Sequence, residues 1–107
     1  MAQLKSIAAV NLAMGETDVY TVPNEKPFVK LSELIISNHS ADQVNCAVKI
    51  FKNDISQEVN IIPSLHLLAN ENKIIALATC LNILDKVIVE CIDSTKVVDV
   101  MISCVEM

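Results

Sequence analysis

A chain of 107 residues has the length of one domain, residues 1–107, and its 52% hydrophobic, 3% aromatic composition requires an aliphatic core, with one Gly and no Trp. Its net charge is −5 and all eight basic residues are Lys, which excludes the Arg-bearing basic stripe of a nucleic-acid binder. No apolar run reaches the ~18–20 residues of a membrane-spanning helix.

Lys5 followed by "SIAAVNLAM" is too short an apolar stretch, interrupted by Asn11, for a secretion signal, so the N-terminus reads as mature structure made in the cytoplasm. Residues 4–13, "LKSIAAVNLA", fit either a helix face or one side of a strand. The only glycine, Gly15, ends that element. "ETDVYTVPN", residues 16–24, alternates and stops at Pro23-Asn24, as a short strand running into a turn does. Residues 28–37 form a strand whose apolar parity changes around Glu33, the mark of a bulge. "NHSADQ" is a turn. Residues 44–51 then alternate, with Val44, Cys46, Val48 and Ile50 inward. A short strand over 58–62 ends at Pro63, and residues 63–71 drop to a loop. Extended structure resumes over 73–79, "LNILD" turns, and the last strands cover 86–92 and 96–105. The sum is seven to eight short strands, hence an all-β fold: an antiparallel β-sandwich, jelly-roll or Ig-like.

Chemistry is scarce. There is no Gly-rich phosphate loop, nucleophile elbow or paired zinc-ligand spacing, so no catalytic, cofactor or metal residue is assigned. Cys46, Cys91 and Cys104 replace apolar residues within alternating runs, and all four cysteines read as reduced and structural. His39 in "SNHSAD" reads as the exposed tip of a capped turn rather than part of a triad. His66, between leucines, reads as half-buried packing.

The order of "ETDVYTVPN", "ELIISNHSAD", "LNILDKVIVE" and "VVDVMISCVEM", from about Ala8 to the C-terminus, resembles a group of small bacteriophage virion proteins. The family carries Gly where this chain has Leu84 and Cys104, so those turns are expected to be built differently. The resemblance implies a non-enzymatic virion component, first of all a capsid decoration or auxiliary subunit on the outside of the particle. A neck, tail or fibre accessory protein is the alternative. A host-surface or carbohydrate-binding module is the alternative of another class, and it is poorly served by so few aromatic residues. The implied partners are a second copy of the chain, with a homotrimer the natural form on a threefold capsid site, and the major capsid protein or other virion proteins. Nucleic acid and membrane are not among them.

Several strands carry apolar residues on both sides. Val87, Val89 and Cys91 oppose Ile88 and Ile92, and Ile74 and Ala76 oppose Ile75 and Leu77. A two-layer sandwich buries one face of each sheet, so Ile75, Leu77, Ile88 and Ile92 are the candidate interface residues. Cover from the loop at 63–71 is the alternative.

Overall fold

The computed structural model describes residues 2–26 and 28–107. The described residues form eight strands and no helix: β1 (Gln3–Ala9), β2 (Gly15–Thr21), β3 (Phe28–Asn38), β4 (Val44–Lys52), β5 (Gln57–Leu67), β6 (Asn72–Asn82), β7 (Lys86–Cys91) and β8 (Val98–Glu106). Every pairing is antiparallel. β4 pairs with β5, β3 with β6, β2 with β7 and β1 with β8, as in one long hairpin ribbon. The ribbon then rolls, so that β8 also pairs with β3 and β7 with β4. Two four-stranded sheets result, β1-β8-β3-β6 and β2-β7-β4-β5. This connectivity is a jelly roll, which decides between the two sandwich types expected from the sequence.

The core lies between the sheets and is aliphatic. The clean alternation of β8 sends Val98, Val100, Ile102 and Cys104 inward, against Val44, Cys46, Val48 and Ile50 of β4 and Val87, Val89 and Cys91 of β7. β-branched side chains suit such pleated, half-buried surfaces. In β3 the inward set is Val29 and Leu31, then Leu34 and Ile36; a bulge between Leu31 and Glu33 changes the parity, as the sequence indicated.

Three local expectations need correction. The ambiguous start of the chain is a strand, β1, whose Ile7 and Ala9 pack on the core. Residues 63–67 are strand rather than loop. β5 is an edge strand, and between Leu65 and Ile62 its register to β4 shifts, so Pro63 falls within a bulge where no ladder hydrogen bond is asked of it. His66 is exposed, because Leu65 and Leu67 turn inward and alternation sends the residue between them outward, where its ring meets Asn45 and Gln43.

Buried polar groups fasten the turns. Asn38 donates through Nδ2 to the carbonyls of Asp42 (2.7 Å) and Leu68 (3.0 Å), while its Oδ1 accepts from the Ser40 amide and hydroxyl. Asp85, fully buried, accepts from Lys52 Nζ (2.6 Å) and from the backbone amides of Asn53 and Asn82 (2.9 Å each). Burial alone would raise the Asp85 carboxyl, but Lys52 and the two amides outweigh it and leave the group below its usual range. Between the sheets, Tyr20 on β2 donates to Glu106 on β8 (2.6 Å), and Lys5 on β1 lies 3.3 Å from the same carboxylate, so one cluster ties the two sheets together.

Candidate assembly face

The two outer faces of the sandwich differ in kind. On the β2-β7-β4-β5 sheet the outward face carries a network of paired charges around the buried Ile88. Lys49 on β4 lies 2.7 Å from Glu16 on β2, 3.0 Å from Glu90 on β7 and 3.6 Å from Glu58 on β5, so one ammonium touches all the other strands of its sheet. Glu16, then Glu90, push the Lys49 pKa up. Beside it, Lys86 pairs with Asp18 (3.2 Å) and stands 5.7 Å from the centre of the Phe51 ring. A face organised this way is at home in water.

The outer face of the β1-β8-β3-β6 sheet is crossed by an apolar row, with Ser6, Ser103, Glu33 and Lys30 further along the same face. Because Ile7, Val100, Ile102, Leu34 and Ile75 point into the core, alternation sends Ala8, Met101, Ile35 and Ile74 outward. These four are successive register partners, Ala8 with Met101, Met101 with Ile35 and Ile35 with Ile74. They make an unbroken row across the sheet, with strands about 4.8 Å apart. Ile74 is 69% exposed and Met101 41%. Val10, just past the end of β1, adjoins the row, and Ala8, Val10, Ile35 and Met101 line a shallow depression of about 200 Å³; Leu4, 85% exposed, lies further along the same face of β1, beyond Ser6. The single charge lining it, Asp99, is engaged by the Asn11 amide (2.8 Å) and by His39 (3.5 Å).

The four residues singled out from the sequence do not come together. Ile75 and Leu77 lie half-buried on the inner face of β6, packed on the core. Ile88 is buried on the outer face of β7, in register between Asp18 and Lys49. Ile92 is exposed just past the end of β7. The signal pointing to Ile74 was present in the opposition of Ile74 and Ala76 to Ile75 and Leu77; which of the two sets looks outward depends on the neighbouring strands. Met101 and Leu4 become legible only when β1 is known to pair with β8.

Catalytic geometry does not accompany this face. His39 pairs with Asp99, and the Ser40 hydroxyl donates to Asn38 Oδ1 (2.8 Å) instead of facing the imidazole. Among the described residues no group of three or more His, Cys, Asp or Glu is placed to hold a metal ion.

No protein-family model matches the chain, and no curated protein matches it. Solved structures share its fold. A chain in the acid-stable capsid structure of Helicobacter pylori bacteriophage KHP30 aligns with a TM-score of 0.63 at 12% identity, over 99% of this chain and 87% of that one. A chain of the infectious bursal disease virus particle aligns with a TM-score of 0.61 at 7% identity over 98% of this chain, which spans only 30% of that longer chain. The fold is not confined to viruses: a protein of the disulfide-linked pili of Bacillus endospore appendages aligns with a TM-score of 0.57 at 5% identity, over 100% of this chain and 87% of that one.

Proposed function

We propose that this chain is a non-enzymatic structural subunit of a bacteriophage virion, bound to the outside of the capsid as a decoration or auxiliary protein. Residues 1–107 act as one domain, and the outer face of the β1-β8-β3-β6 sheet is the surface through which copies associate. The observation that carries the reading is the row Ala8, Met101, Ile35 and Ile74: an apolar stripe across one sheet of a sandwich whose other sheet is coated with ion pairs. A sandwich needs only its inner faces to fold, so a second apolar face has a use once another subunit covers it. The fold agrees: it is shared with a chain of a phage capsid structure over nearly the whole length of both. Assembly takes place in the host cytoplasm and the product resides in the virion, with itself and the major capsid protein as partners and no cofactor.

Light scattering of the purified chain at micromolar concentration tests the self-association, with a trimer expected. A monomer that stays monomeric at millimolar concentration would remove the role given to this face.

A further inference from the structure

Two of the four cysteines meet inside one sheet. Cys46 on β4 and Cys91 on β7 are register partners, both belong to the core, and they are 0% and 1% exposed. The adjacent pair in the ladder is Asn45 and Ile92, where the Ile92 amide donates to the Asn45 carbonyl at 3.0 Å. Hydrogen-bonded and non-hydrogen-bonded pairs alternate along an antiparallel ladder. Cys46 and Cys91 therefore occupy a non-hydrogen-bonded pair, whose Cα atoms approach to about 4.5 Å with the side chains at their closest. A cystine requires a Cα separation of about 4.4–6.8 Å, so the bond can form without moving either strand. The remaining cysteines lack such a partner: Cys104 is in register with Lys5 and Leu31, and Cys80 with Lys30.

We propose that Cys46 and Cys91 are an oxidative modification site, closing to an intramolecular cystine when the protein meets a peroxide-class oxidant. This holds whether or not the chain is a virion subunit. The two sulfurs bias each other in opposite senses: Cys91, then burial, pushes the Cys46 thiol up, while Cys46 holds the Cys91 thiol down against burial, and Cys91 is the group that ionises in the proposed step. Its thiolate attacks one peroxide oxygen, the O–O bond breaks, and hydroxide leaves with the proton Cys91 gave up, as water. The resulting sulfenic acid is attacked by the Cys46 sulfur; the S–S bond forms and the hydroxyl departs with the Cys46 proton as a second water. Two thiols lose two electrons, and one hydrogen peroxide becomes two waters. Access comes from the end of the sheet. Cys91 is the last residue of β7, and the turn after it is held to β4 by Asp93, which accepts from the Asn45 amide (2.9 Å) and side chain (2.6 Å). Local opening there uncovers the pair. The cystine closes a loop of about 45 residues and should raise Tm by roughly 10 °C or more.

The test uses the full chain with Cys80→Ser, which removes the exposed thiol, treated with hydrogen peroxide, denatured without reductant, alkylated and mapped by mass spectrometry. The expected product is two hydrogens lighter, alkylated only at Cys104, and yields a Cys46–Cys91 linked peptide. Its Tm gain is lost on adding dithiothreitol and is absent in Cys91→Val, an apolar replacement of similar size. Recovery of Cys46 and Cys91 as alkylatable thiols, as sulfinic acids, or linked to Cys104 would overturn the proposal. The peptide map decides the point even if Cys91→Val fails to fold.

Discussion

Two residues sit at backbone conformations that act in opposite senses. Gly15, at φ +101°, occupies a region closed to side-chain-bearing residues, although a Cβ there would meet nothing within 4 Å. Gly15→Ala should therefore lower stability by about 1–2 kcal/mol through backbone strain alone, read by urea denaturation. Leu84, at φ 64°, holds a left-handed conformation with a bulky side chain. Glycine adopts this conformation without a Cβ penalty. Leu84→Gly should raise stability by about 0.5–1 kcal/mol in the same assay, and a loss of stability would mean that the Leu84 side chain has a packing role. Acid sensitivity is also a property of single residues. The Tyr20 hydroxyl, then Lys5, hold Glu106 below its usual range against the opposing effect of burial, and Asp85 is lowered likewise. A carboxyl depressed in the folded state adds stability that is present above its unfolded pKa and lost as pH falls through the folded one. Tm should thus hold steady down to about pH 4 and fall steeply below it. Glu106→Gln, which also removes one partner of a buried cluster, should start from a lower Tm and show a shallower acid slope in a pH-resolved melt.

At the scale of elements, the β2-β7-β4-β5 sheet depends on Lys49 to reconcile three carboxylates from three strands. Lys49→Met leaves Glu16, Glu58 and Glu90 facing one another and should reduce stability by roughly 1 kcal/mol at low ionic strength, a modest figure because the carboxylates are solvated. Added salt, or Glu90→Gln in the same chain, should recover most of the loss, which a simple packing defect would not allow. The strands themselves were largely legible. Alternation in Val98, Val100, Ile102 and Cys104 and the parity change near Glu33 come directly from the period of two that a pleated strand imposes. What escaped the sequence was long-range. Pro63 reads as a strand end until β5 is known to be an edge strand with a bulge at that point. Cys46 and Cys91 show no paired spacing, since their meeting is decided by the β4–β7 register and not by local order. The candidate face is hidden for the same reason: Ala8, Met101, Ile35 and Ile74 come from four distant segments, and only the rolled ribbon lines them up.

For the whole molecule, the contrast between an ion-paired face and one crossed by an apolar row lets the proposed assembly be tested apart from folding. Ile74 and Met101 face outward and contribute little to the core, so Ile74→Lys with Met101→Lys should leave the Tm of the isolated subunit almost unchanged. The same pair should dissociate the oligomer in light scattering, because two ammonium groups would have to be desolvated in the middle of an apolar contact. The variants Lys49→Ala and Lys86→Ala on the opposite sheet should leave the oligomer intact. Loss of assembly from those changes instead would move the interface to the charged face. The central claim, that this chain is a structural part of a phage particle, meets its most direct test in gradient-purified particles, imaged and analysed by mass spectrometry with and without the coding sequence. Such particles should contain the chain stoichiometrically and show added density on the outer capsid surface, present only with the coding sequence; absence of the chain from purified particles would contradict a structural role.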